Sequence, residues 1–173
     1  MALSKYSEKI SSQLISQLES GLQAEAQEDP KNLLLLEHFK SLYKSMCAED
    51  LQEKLLEEVY AEELLFQDSF HKIESRASFL EYCSELYQNL KSCDFDFHDQ
   101  FISDGQAMLT WTMTYSHPKL NRGRDISVQG SSHIRFNEKI YFHQDYFDGG
   151  ALLYEHVPVL GSIIQQLKKR MAK

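Results

Sequence analysis

His143 and Asp145 have the types and spacing to move a proton. They stand two apart in the run Ile140 to Asp148, which reads as a strand, so they share one face. A carboxylate in a partly dry pocket can exchange protons near neutral pH, and an imidazole beside it can act as acid, base or orienting partner. A structural carboxylate, hydrogen-bonded to neighbouring strands or to a helix end, would read the same way. Strand register decides whether His143 and Asp145 or Gln144 and Tyr146 face a pocket. Asp68 is a second carboxylate of interest. It could form a pair with Asp145 in which one proton serves two like charges, or it could cap the turn before Phe70.

His133 lies on the preceding strand. Alternation from Ile134 and Phe136 turns it to the opposite side from those apolar residues, so it is either a ligand contact or a satisfied structural group. A metal site from His133, His143 and Asp145 would need a register that the sequence does not fix, and no metal or other cofactor is expected. No serine or cysteine sits in a nucleophile elbow, and no glycine-rich phosphate loop occurs.

The elements that must position these groups are legible from periodicity. Trp111, Met113 and Tyr115 alternate with Thr110, Thr112 and Thr114, the clearest strand in the chain. They wall an apolar cavity with Phe66 and Phe70 nearby, or they form solid core; Tyr146 is a further ligand-binding candidate that could instead face the other side of the last strand or cap the final helix. Further strands are expected over Leu64 to Phe70, around Phe95 to Ile102, over Ile126 to Phe136 and over Ile140 to Asp148. Gly130 suggests a bend or bulge, and Asn137-Glu138 a tight turn. Helices are expected around Leu35 to Met46, from about Asp50 to Val59, from Ser75 to Leu90, and over the C-terminal face of Val157, Leu160, Ile163, Ile164, Leu167 and Met171. Residues 1–30 carry a thin helical stripe of Ile10, Leu14, Leu18 and Leu22 and read as an extension to a domain over 31–173.

Helices first, then long antiparallel strands, then a helix argue for an α+β fold. The net charge of −8 argues against nucleic acid as the main partner. The basic tail Lys168, Lys169, Arg170 and Lys173 ends a helix, where cations meet the negative dipole end, and no membrane partner is expected. Cys47, Cys83 and Cys93 form neither a disulfide framework nor a zinc motif, which points to a reducing, cytoplasmic compartment. No leader-like apolar run follows the first residues, and no stretch reaches the roughly 18 apolar residues of a span.

Several of these segments resemble one family. The run Lys139 to Asp148 is similar to the last strand of SnoaL-like and limonene-epoxide-hydrolase-like proteins, and the Gly130 to Phe136 strand resembles the one before it. Tyr60-Ala61-Glu62 followed by Phe66-Gln67-Asp68 also matches, in order, over roughly residues 32 to 150. The resemblance implies the cone of the nuclear transport factor 2-like proteins: a curved antiparallel sheet covered by N-terminal helices, with a cavity at one end. Here the chain adds an N-terminal and a C-terminal helix. In the epoxide-hydrolase pattern Asp145 would be the general base, and Asp68 would stand where an asparagine holds the water. The Arg-x-Asp of that pattern is absent from Trp111-Thr112-Met113-Thr114, which argues against epoxide hydrolysis. The function expected is therefore a small, largely apolar ligand pocket, with acid–base chemistry of isomerase, dehydratase or cyclase type at Asp145, assisted by His143 and Asp68. A non-catalytic binding or interaction module stands beside it, and a homodimer is expected in either case.

Overall fold

The computed structural model describes residues 29–46 and 53–171. The chain divides into two compact units, Met1–Leu33 and Leu34–Lys173. The expected stripe from Ile10 to Leu22, the Cys47 thiol and the start of the second helix at Asp50 lie outside the described residues.

Helix α1 (Pro30–Met46) opens on Asp29, whose Oδ1 accepts the Lys31 amide at 2.9 Å. Its buried residues Leu35, Leu36, Phe39, Leu42, Tyr43 and Met46 recur at the three-and-four spacing of a core-facing stripe. Helix α2 (Glu53–Val59) passes directly into strand β1 (Tyr60–Gln67), so the strand begins four residues before Leu64. Broken alternation hides this start from the sequence pattern. β1 shifts register between Tyr60 and Leu65, and the adjacent Glu62 and Glu63 are both exposed. A three-residue strand β2 (Lys72–Glu74), too short to signal itself by pattern, pairs back onto β1. Helix α3 (Arg76–Tyr87) starts where expected, with Ser75 Oγ accepting the Ser78 amide at 3.2 Å.

The long strands are β3 (Ser92–Ser103), β4 (Gln106–Ser116), β5 (Ile126–Phe136) and β6 (Ile140–Phe147). Asp104 and Gly105, with φ of 47° and 73°, make the left-handed turn between β3 and β4. The curved, open sheet runs β2-β1-β6-β5-β4-β3 and is mixed, because β1 joins β6 in parallel while the other neighbours are antiparallel. Its inner face carries the core: Leu64 and Phe66 on β1, Phe95 on β3, Ala107, Leu109 and Trp111 on β4, Ile134 and Phe136 on β5.

Gly130 sits at no register shift, since β4 and β5 pair without interruption from Gln106↔Arg135 to Tyr115↔Ile126. Its role is close approach. A Cβ there would stand 2.3 Å from the Trp111 ring, which lies across the glycine from the facing strand. The β5–β6 turn is also wider than two residues: Phe136 pairs with Ile140, and a further shift lies between Arg135 and Phe136.

Gly149 and Gly150 begin a short helix, α4 (Gly149–Leu152), capped by Asp148, whose Oδ1 accepts the Gly150 and Ala151 amides at 2.7 and 3.2 Å. A 3-10 turn over Tyr154–His156 leads to the terminal helix α5 (Leu160–Met171). No helix among the described residues is long and apolar enough to cross a membrane.

Candidate active site

Between α3, the inner sheet face and the α4 region lies a cavity of about 670 Å³. Its walls include Phe66, Phe79, Trp111, Met113, Tyr115 and Phe147, and Asp145 and Asp68 are the two carboxylates of the expected site that line it. Phe66, Trp111, Met113 and Tyr115 thus line one cavity. Tyr115 is held by a hydrogen bond from its hydroxyl to the Leu152 carbonyl, which ties β4 to the α4 end of the cavity.

Asp145 is the end of a buried polar chain. Its Oδ1 accepts His143 Nε2 at 2.8 Å and Ser132 Oγ at 2.5 Å. Ser132 Oγ in turn accepts the Trp111 indole N–H at 2.9 Å. An indole nitrogen only donates, so the direction is set: Trp111 to Ser132 to Asp145. On the far side of the imidazole, Nδ1 lies 2.8 Å from the Tyr60 hydroxyl, with the Tyr43 hydroxyl 3.5 Å from that of Tyr60. With Asp145 ionised, Nε2 is the donor, and in the neutral ring Nδ1 then accepts the Tyr60 proton. His143 is fully enclosed, whereas the Asp145 side chain is 11% exposed. Phe39, Phe66 and Phe79 meet the imidazole edge-on. Both bonds to Asp145 fall on Oδ1, and Oδ2 has no protein partner among the described residues. The carboxylate is therefore fixed from behind, with one oxygen left for a ligand.

The local sequence explains the assembly. His143 and Asp145 share the inner face of β6, and Ser132 lies directly opposite Asp145 across the hairpin. Trp111 reaches Ser132 because Gly130 leaves room for the indole. Tyr60 arrives through the parallel β1–β6 pairing and stacks at 5.9 Å on the imidazole.

Asp68 is placed differently from a partner of Asp145. Its Oδ1 accepts the Phe70 and His71 amides at 2.7 and 2.6 Å, and its Oδ2 accepts the Tyr82 hydroxyl at 2.9 Å. It closes the β1–β2 turn, and among the described residues no hydrogen bond joins it to Asp145 or His143. His133 and Tyr146 lie on the outer sheet face, away from this cavity. Their inner-face neighbours Ser132 and Asp145 show which way the pleat turns. His133 bonds Gln106 at 3.2 Å, and burial followed by the Arg135 charge lowers its pKa. His133, His143 and Asp145 therefore do not converge, and no group of three metal-binding side chains occurs among the described residues.

Tyr60, Tyr43 and Ser132 are the site residues that sequence reasoning missed. Tyr43 lies within the expected helix Leu35 to Met46, and Tyr60 and Ser132 lie within the family-like segments. The pairing of Ser132 with Asp145 would have been found from the true hairpin register.

Burial pushes the Tyr43, Tyr60 and Tyr82 phenols well above their ordinary range, and Tyr115 up to about 12. Burial, followed by the charge of Asp145, does the same to the Cys83 thiol. The folded state keeps these phenolic protons after the unfolded chain has released them, so stability falls as pH rises above about 10. Urea midpoints are expected to drop steeply between pH 10 and 12, with the absorbance of buried phenolates appearing only as the protein unfolds. Full ionisation of all nine tyrosines near pH 10 in the folded protein would contradict this.

The sequence pattern of the SnoaL-like domain family matches residues 40–143. No curated protein matches the chain. Among solved structures, a protein assigned as a SnoaL-like polyketide cyclase from Jannaschia sp. CCS1 superposes with a TM-score of 0.66 at 8% identity, over 76% of this chain and 97% of that one. TsrD from Streptomyces laurentii gives 0.60 at 14% identity, over 73% and 94%. A protein of ketosteroid isomerase-like fold from Catenulispora acidiphila, in complex with trimethylamine, gives 0.61 at 11% identity, over 70% and 94%. At these identities the likeness is one of fold.

Proposed function

The chain belongs to the SnoaL-like family, and from that premise we propose that it binds a small, largely apolar molecule and catalyses proton transfer on it with Asp145 as the base. The observation that carries this reading is the Asp145 carboxylate, held on Oδ1 by His143 and Ser132 at the wall of a largely apolar cavity. Asp68, by contrast, has both oxygens engaged within the protein. In the proposed step Oδ2 takes a proton from a carbon beside a carbonyl. The C–H electron pair moves into the new C–C double bond, the carbonyl oxygen takes the negative charge, and the proton is returned to the same or a conjugated carbon. Isomerisation, dehydration and cyclisation can all begin this way. His143 is the positioning residue, kept in orientation by Tyr60.

The test is deuterium exchange. The protein is incubated in heavy water with a panel of small cyclic ketones and enones, and loss of the α-proton signal is followed by NMR. Accelerated exchange for at least one compound is expected. Saturable binding across the panel with no exchange in any compound would replace the enzyme by a non-catalytic binder.

A further inference from the structure

The terminal helix α5 carries a surface that nothing in the described fold covers. Gly161 is its one buried residue, while Leu160, Ile163, Leu167 and Met171 are 39%, 51%, 53% and 89% exposed. These four recur at three-and-four spacing, so they form one apolar stripe. The flanks are Ser162, Gln165, Gln166, Lys168, Lys169 and Arg170, and no acidic residue occurs from Leu160 to Lys173 in a chain of net charge −8. Lys168 pairs with Glu155, but Lys169 and Arg170 have no ionic partner among the described residues. The helix is held by its first turn: Gly161 N–H donates to the Val157 carbonyl at 2.9 Å, and a Cβ on Gly161 would stand 2.1 Å from the Glu155 carbonyl oxygen.

An apolar stripe flanked by cations, on a helix of low overall hydrophobicity, is the pattern of a helix that lies in a bilayer interface. The cations taken alone are explained by the helix dipole. The uncovered stripe is the added fact. We propose that α5 docks this protein on an anionic bilayer. Leu160, Ile163, Leu167 and Met171 enter the boundary of the acyl chains, and Lys169 and Arg170 meet lipid phosphates. Phe70, a cavity-lining residue, touches Tyr154 of the 3-10 turn on which α5 packs, with ring centres 5.8 Å apart. Docking thus sets the cavity rim close to the phase in which an apolar ligand dissolves. That corollary rests on the ligand-pocket reading; the docking itself does not.

The full chain is sedimented with vesicles of phosphatidylglycerol and phosphatidylcholine, and with vesicles of phosphatidylcholine alone. Binding roughly tenfold tighter to the anionic vesicles is expected, and it weakens as salt is added. Ile163→Ser/Leu167→Ser and Lys169→Gln/Arg170→Gln each lower it by roughly tenfold or more, with unchanged thermal midpoints because these side chains are exposed. Absence of sedimentation with anionic vesicles overturns the proposal, as does equal binding by the variants. So does a dimer in light scattering that Ile163→Ser/Leu167→Ser dissociates, since a second copy would then be what covers the stripe.

Discussion

Asp145→Asn is expected to slow the proton-transfer step by about 10²–10⁴-fold while leaving ligand affinity within a few-fold. The prediction is sharp because the substitution is nearly silent for the fold. An asparagine Oδ1 still accepts His143 Nε2 and Ser132 Oγ, so the buried chain from Trp111 and from Tyr60 keeps its partners. What disappears is the basic lone pair on the second oxygen. The measurement is the exchange rate of a responsive carbonyl compound in heavy water, alongside its dissociation constant for both proteins. A loss of affinity equal to the loss of rate would mean that Asp145 binds the ligand and does not move its proton. Tyr60→Phe sharpens the comparison. It removes the hydroxyl 2.8 Å from His143 Nδ1 without touching the cavity wall, and a smaller loss, about tenfold, follows if His143 acts only by orientation.

The second large effect comes from one methyl group. Gly130→Ala puts a Cβ where the Trp111 ring already stands, 2.3 Å from its nearest atom, and the indole is 4% exposed with little room to yield. Overpacking of this kind costs about 1–3 kcal/mol. A shift of the ring also strains its bond to Ser132, where a lost buried partner costs about 1–3 kcal/mol more. For a domain of this size, at about 2–4 °C per kcal/mol, the melting midpoint is expected to fall by roughly 4–24 °C. Trp111 is the only tryptophan, so its emission reports the displacement directly. The pairing Gly130→Ala with Trp111→Leu is expected to recover part of the loss, since the smaller side chain removes the clash. Simple additivity of the two substitutions would show that the glycine serves something other than the indole.

How much of this was legible depends on which period the residues obey. The shared face of His143 and Asp145 follows from the two-residue repeat of a strand, as does the Trp111, Met113 and Tyr115 wall. Helices α1 and α3 show their stripes, and Ser75 announces the start of α3. Register was the hidden quantity. A two-residue turn at Asn137-Glu138 would have set Asp145 opposite Gly130, whereas the wider turn and the shift beside Phe136 set it opposite Ser132. A displacement of two preserves faces and changes partners, so His143 and Asp145 keep their common face while the residue opposite Asp145 becomes Ser132. Asp68 illustrates another limit. Its type and position suit a catalytic pair and a turn equally, and only the four-residue geometry from Asp68 to His71 shows that it accepts two amides. The start of β1 at Tyr60 was concealed because no alternation crosses a register slip.

The parallel pairing of β1 with β6 also fixes when this site can exist during synthesis. Tyr60 and His143 are 83 positions apart, and the strand that joins them to Asp145 emerges late from the ribosome. Helices α1, α2 and α3 and the β3–β4 hairpin can form from local contacts, but β1 must wait with an unpaired edge until β6 arrives. A nascent chain halted before Ile140 would hold most of the helical cover and none of the dyad. The last of these strands to be made carries both His143 and Asp145, so a product truncated before it lacks the dyad and presents an open edge to quality control.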